Sequence, residues 1–186
     1  MHNNYYFLRQ LTSRLQTILA GTVASECFSQ SKDELIIRFE THGDPFFIKA
    51  GLSGSFSCLS FPQKFNRARK NSVDLFPELI GRRVLGLRQF ENERSFSINF
   101  SDQIGLLFKM HGNRSNVISL ETNSVLGIFR NNIPEDANIS PDNLDRKIDW
   151  SFEYFSRNHE QAQKVYFTFG KDVWGYLRGK GYDGQT

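Results

Sequence analysis

Residues 83–130 read RVLGLRQFENERSFSINFSDQIGLLFKMHGNRSNVISLETNSVLGIFR, and this stretch decides the fold. Phe96, Ile98 and Phe100 alternate strictly with Ser95, Ser97 and Asn99. Successive side chains of an extended chain point to opposite faces, so this is the pattern of a half-buried strand. Upstream, 83–90 is a β-rich run closed by a tight turn at 91–94. Downstream, 104–110, 116–120 and 125–130 are further apolar runs, and their connections carry the Gly, Asn, Asp and Ser that turns need. The stretch predicts an antiparallel meander.

Working outward towards the N-terminus, 34–39, 46–50 and 56–61 read as three more strands, the first two joined by a turn at Gly43-Asp44-Pro45. Residues 62–81 break the rhythm; Pro77 forbids one continuous helix, which leaves a loop with one or two helical turns. Phe7, Leu8, Leu11, Leu15, Ile18 and Leu19 recur at three- and four-residue steps, the spacing of an amphipathic helix, with Gly21 placed to end it. Towards the C-terminus, 131–147 is polar, with Pro134 and Pro141, and reads as a linker. Helical character resumes at Asp149, with Trp150, Phe152, Tyr154 and Phe155, and 167–179 forms a second short helix. One helix, about eight short strands, then helices defines an α+β fold: an N-terminal helix packed on an antiparallel β-sandwich, followed by short helices. Long helices do not alternate with the strands, which excludes a doubly wound parallel sheet.

The chain has 186 residues, enough for one domain and the start of another. Its 18 phenylalanines allow a modest chain to close a real core, because large aromatics bury much area each. Two cysteines, Cys27 and Cys58, are too few for a disulfide framework; two buried free thiols are expected, with one bridge as the alternative. The histidines His2, His42, His111 and His159 lack metal-ligand spacing, so no metal and no cofactor is expected. The opening MHNNYYFLRQ is no secretory signal, and no apolar run is long enough to span a bilayer, so a cytoplasmic protein without a membrane partner is expected.

Catalytic signatures are missing. There is no phosphate-binding glycine loop, no G-x-S-x-G, no H-E-x-x-H and no C-x-x-C. Neither catalysis nor a small-molecule substrate is expected. Charge is more informative. Between residues 64 and 94 stand eight basic residues, Lys64, Arg67, Arg69, Lys70, Arg82, Arg83, Arg88 and Arg94, against four acids. The net charge of that segment exceeds the +3 of the whole chain. It reads either as an RNA-backbone surface, for which arginine forks are suited, or as a solvated basic face without a partner. The run Gly112-Asn113-Arg114-Ser115-Asn116 reads either as a tight turn or as a loop that presents Arg114, Ser115 and Asn116 to a partner.

In this order the pieces resemble a known family. The helix FLRQLTSRL, the strand-rich middle, the basic ARK segment, the hairpin RVLGLRQFENERSFSINF and the run GNRSNVISL are similar to the N-terminal domain of the NFACT family, the ribosome quality control factors also labelled fibronectin-binding protein A-like. The family pattern G-x-x-S-N before an apolar strand falls on Gly112, Ser115 and Asn116. The resemblance covers about residues 3–135, so 1–135 is expected to be the family-like domain. Residues 136–186 are then a linker and the start of a truncated helical module, since FGKDVWGYLRGKGYD resembles the beginning of the family's helix-hairpin-helix. The resemblance implies a sandwich like that of the formamidopyrimidine-DNA glycosylase N-terminal domain, without its chemistry. Those enzymes use an N-terminal proline, and this chain opens Met1-His2-Asn3-Asn4.

What the resemblance implies is binding of tRNA on an obstructed large ribosomal subunit, in contact with rRNA, to support untemplated C-terminal tailing of stalled nascent chains. Residue by residue, the family's Asp-Arg pair falls on Glu93-Arg94, an N-terminal Asp falls on Asn4, Arg9 matches, and an acid and a Met fall on Lys109 and His111. The expected RNA contacts are therefore Arg9, Glu93, Arg94, Gly112, Arg114, Ser115 and Asn116, with Lys64, Arg67, Arg69, Lys70, Arg82 and Arg83 on the backbone. The alternative is a protein-binding, fibronectin-binding-like module without an RNA role.

Overall fold

The structure is a computed structural model that describes residues 4–54 and 56–182. Met1, His2 and Asn3, on which the missing proline rests, and the tail 183–186 lie outside the described residues. The first element is helix α1, Tyr5–Leu19, which buries Leu8, Leu15 and Leu19 of the expected stripe together with Thr12, while Phe7 is exposed. Gly21, at φ +83°, turns the chain out of it.

The strands form two sheets of five. In the first, β1 (Val23–Ser31), β2 (Glu34–Glu40), β3 (Phe46–Gly51), β4 (Cys58–Ser60) and β5 (Val73–Asp74) lie in the order β4-β3-β2-β1-β5. The second is the predicted meander: β6 (Val84–Gln89), β7 (Ser95–Phe100), β8 (Ile104–Lys109), β9 (Asn116–Glu121) and β10 (Ser124–Ile128), each pairing antiparallel with the next. Strands β1 and β5 were not expected. β1 carries Ser25, Glu26, Ser29 and Gln30 among its apolar residues, so it shows little apolar periodicity. It is a strand because β2 and β5 pair with it on its two sides.

One buried cluster joins the sheets and the helix. It takes Leu35, Ile37 and Phe39 from β2, Phe96, Ile98 and Phe100 from β7, Leu106 and Phe108 from β8, and Leu8, Leu15 and Leu19 from α1. Burying each large apolar side chain contributes roughly 1.5–3 kcal/mol relative to exposure. Phe39 and Phe100 stack across the sheets at 6.5 Å and an interplanar angle of 6°. Within the second sheet Phe96 and Phe108, direct partners in the β7–β8 register, stack at 4.8 Å. α1 lies on β6 and β7, and the Gln16 side chain accepts the Leu87 N–H at 2.5 Å.

The outer face of the second sheet is covered as well, which corrects the reading of 131–147 as a linker. Ile133 is buried, and Ile139 and Leu144 pack on Phe90, Leu107, Ile118 and Leu120. Asp145 accepts the Glu91 N–H at 2.7 Å, and the Arg146 carbonyl accepts from Asn92 Nδ2 at 2.7 Å. The segment is a strap, and under it Ser95 and Ser97, placed on the solvent side by alternation, are buried. Helices α2 (Phe152–Asn158), α3 (Ala162–Val165) and α4 (Gly170–Gly179) follow, gathered round Ala162, Tyr166 and Trp174. This cluster returns to the start of α1, where Tyr6 Oη lies 3.3 Å from Thr168 Oγ1 and the Tyr6 and Phe169 rings stack at 6.0 Å.

Candidate functional site

Topology places the site. In an antiparallel meander the β6–β7 turn and the β8–β9 loop emerge at the same end of the sheet. α1 runs antiparallel to β6, with its C-terminal end at Gly21, whose N–H bonds to the Val84 carbonyl at 2.9 Å. Its N-terminal end therefore reaches the two loops. There a cavity of about 570 Å³ is lined by Asn4 and Tyr5 of α1, Asn92, Glu93 and Arg94 of the turn, His111 of the loop, Arg146 of the strap, and Phe167, Thr168, Gly170 and Asp172.

Glu93 is the centre. Only 9% exposed, it meets His111 Nε2 at 2.6 Å, accepts the Arg94 N–H at 2.7 Å and lies 4.0 Å from the Arg146 guanidinium. Burial pushes its pKa up, the largest single influence. The His111 hydrogen bond and charge, the Arg94 N–H and the Arg146 charge together outweigh burial and hold the carboxyl below its ordinary value. His111 is itself steadied by Ser95 Oγ at 3.3 Å. The turn is braced from behind by Gln89, whose Nε2 donates to the Glu93 and Ser95 carbonyls and whose Oε1 accepts from Thr12 of α1. Arg146 lies over the Phe167 ring at 3.9 Å. Arg94 is exposed on the rim and has no ion-pair partner among the described residues. Asn4 caps α1, its Oδ1 accepting from the Tyr6 and Phe7 N–H groups at 2.8 and 3.4 Å. The cavity thus offers two guanidiniums, two carboxylates of which Glu93 is well fixed, an imidazole and an aromatic face. Such a set can hold a polar, partly anionic ligand. Among the described residues no three His, Cys, Asp or Glu side chains lie together to hold a metal ion.

The remaining sequence-predicted residues are elsewhere. Arg9 is exposed one turn further along α1 and does not line the cavity. The Gly112 carbonyl accepts from Ser57 Oγ, and Arg114 pairs with Glu135 at 3.0 Å on the surface. Ser115 and Asn116 are fully buried, which corrects their placement on a presented loop. Asn116 instead ties its strand to the strap and to the β10 end. In the basic tract Lys64, Arg69 and Lys70 are exposed, while Arg67 pairs with Asp74 at 2.7 Å and lies over Phe28. Arg82 pairs with Asp102, and Arg83 donates to the Gly21 carbonyl at 2.9 Å. The last contact sits at the far end of α1, a 15-residue helix and so about 22 Å long at 1.5 Å per residue. Sequence reasoning missed Asn92, Arg146, Phe167, Thr168 and Asp172. Asn92 adjoins Glu93 in the turn; nothing local marks the other four, because they reach the cavity only through the docking of the strap and the C-terminal helices.

Of the two cysteines, both free, Cys27 is buried and Cys58 half-buried. Burial first, and then the charges of Glu78 and Asp74, push the Cys27 thiol far up. No described helix is long and apolar enough to cross a membrane.

No family model matches the chain, and no curated protein matches it. Solved structures do. The fold is similar to that of the N-terminal domain of the fibronectin-binding protein PavA from Streptococcus pneumoniae, with a TM-score of 0.60 and 16% identity over 68% of this chain and 53% of that one. The fibrinogen binding protein from Staphylococcus aureus matches at a TM-score of 0.60 and 14% identity, over 82% of this chain and 58% of that one. The N-terminal part of the fibronectin/fibrinogen-binding protein from Streptococcus suis matches at 0.61 and 16%, over 68% and 53%. The match spans little more than half the length of each. The class defined here is one of architecture: an α+β fold with an N-terminal helix, antiparallel sheets and short C-terminal helices, shared with the N-terminal domains of PavA-like proteins.

Proposed function

We propose that this chain is a non-catalytic, RNA-facing domain that binds tRNA on obstructed large ribosomal subunits in the cytoplasm, in support of untemplated tailing of stalled nascent chains. One observation carries the reading. The cavity gathers Asn4, Glu93, Arg94 and His111 from three distant segments, and these are four of the positions onto which the family resemblance carries its tRNA-related residues. Arg94, exposed on the rim without an ion-pair partner among the described residues, would take a phosphate. Glu93, fixed by three neighbours, is an acceptor for base or sugar donors. Lys64, Arg69 and Lys70, all exposed, would contact the backbone of a folded RNA.

The test is fluorescence anisotropy with labelled tRNA at low and moderate salt. Binding should weaken steeply with salt, and Arg94→Ala should weaken it roughly 10- to 150-fold, the loss of one charge-assisted phosphate contact of roughly 1.5–3 kcal/mol. Absence of binding to tRNA and to purified large subunits alike would overturn the reading. A protein-binding role is the second reading, favoured by the fibronectin- and fibrinogen-binding names of the fold's neighbours. Saturable binding to fibronectin or fibrinogen, unchanged by Arg94→Ala, would establish it instead.

A further inference from the structure

Next to the cavity, under the strap, lies a group of three buried polar side chains that the proposed RNA role does not use. Lys109 and Asn116 are direct partners across β8 and β9, on the face that the strap covers. Asp136, in the turn Pro134–Asn138 of the strap, comes down between them. Lys109 is 6% exposed, Asp136 1% and Asn116 0%. Lys109 Nζ bonds to Asp136 Oδ1, and Asn116 Nδ2 donates to the other oxygen, Oδ2, at 2.7 Å. One carboxylate therefore holds an amine and a primary amide side by side. The amide oxygen is engaged separately: Asn116 Oδ1 accepts the N–H groups of Val117 at 3.0 Å and Arg130 at 2.8 Å. Asn116 Nδ2 also donates to the Arg130 carbonyl at 3.0 Å, which fixes the amide plane.

A buried ion pair alone is an expensive way to hold a strap, since the desolvation of both charges offsets much of their attraction. This arrangement has in addition the three parts of an acyl-transfer site: a nucleophile, a proton carrier in contact with both nucleophile and leaving group, and two backbone N–H donors on the carbonyl oxygen. The geometry points to self-modification, an intramolecular isopeptide bond between Lys109 Nζ and Asn116 Cγ formed with Asp136 as the catalytic residue. The Lys109 ammonium gives a proton to the Asp136 carboxylate, and the free Nζ lone pair attacks Asn116 Cγ. Charge moves to Oδ1, where the Val117 and Arg130 N–H groups receive it. Asp136 passes its proton to Nδ2, the Cγ–Nδ2 bond breaks and ammonia leaves. Nζ then loses its second proton to Asp136, which ends neutral. Two strands become covalently joined, one ammonia is released, and no oxidant, metal or co-reactant takes part. The inference stands independently of the RNA reading.

Intact mass spectrometry of the purified, folded chain tests it directly. The mass should fall short of the sequence value by one ammonia. A tryptic digest should contain a species uncut at Lys109, in which the peptide bearing Lys109 stays attached, after cleavage at Arg114, to the peptide bearing Asn116. Lys109→Met, which removes the nucleophile, and Asp136→Asn, which removes the proton carrier, should each return the full mass calculated for that variant. A wild-type mass equal to the sequence value overturns the proposal, whatever the variants do. A deficit of one water also overturns it, because it marks a direct amide between Lys109 and Asp136.

Discussion

At the scale of single residues, Glu93 shows how a side chain is tuned by its surroundings. His111, the Arg94 N–H and Arg146 favour its charged form more than burial disfavours it, so the folded carboxyl titrates below the unfolded value of 4.5. In the window between the two values the unfolded chain binds more protons than the folded one. The stability that Glu93 contributes is therefore fully present above the unfolded value and lost as pH falls through the folded one. Thermal unfolding followed from about pH 6 to about pH 3 should show this decline, and Glu93→Gln should flatten part of it. The cysteines give a second test. A thiol reagent applied to the native protein should modify Cys58 and spare Cys27, and both should react after denaturation; native labelling of Cys27 would mean that its part of the core opens readily. Part of this scale was legible. The Glu93-Arg94 pair and His111 stood out by resemblance and do meet in the cavity. Ser115 and Asn116 stood out equally, yet both are buried and Asn116 engages its amide in an interior network; a sequence does not separate a polar group turned outward from one turned inward.

At the scale of elements, legibility followed local periodicity. β7 alternates Phe, Ile and Phe with Ser, Ser and Asn, and both its existence and its inward face are as read. β1 is specified by its neighbours on either side, and the strap by the surface it covers, so neither leaves a local pattern. The strap holds the β6–β7 turn in part through Asp145, whose carboxyl is held below its usual range first by the Glu91 N–H and then by Arg88. The Arg88 pair is half exposed and contributes little, so the backbone N–H is the bond that matters. Asp145→Ala should cost about 1 kcal/mol and speed hydrogen exchange at the Glu91 amide, with β8 and β9 unchanged. Equal acceleration across the sheet would mean that the strap and sheet unfold together.

At the scale of the whole molecule, the Phe39–Phe100 stack ties the two sheets into one core with α1. Phe100→Ala should cost about 3–5 kcal/mol, because the rigid sheets on either side cannot close the space left behind. Denaturant unfolding should keep a single transition in that variant, with the midpoint lowered. Two separated transitions would show that the sheets are independently stable. A Phe39→Ala, Phe100→Ala double variant should lose less than the sum of the single losses, since each removes the same contact.

The meeting of Tyr6 with Thr168 and Phe169 has a thermodynamic consequence. The cavity walls come from residues 4–5, 92–94, 111, 146 and 167–172, stretches that drift apart in any opened state of the chain. An occupant therefore binds the closed form alone and works as a fastener between the helical end and the sheet. At a hundredfold excess over its dissociation constant it would add about 2.7 kcal/mol to the apparent stability. Protection of the α2–α4 region from proteolysis by a candidate ligand would then report occupancy of the cavity without any assay of what the bound molecule goes on to do.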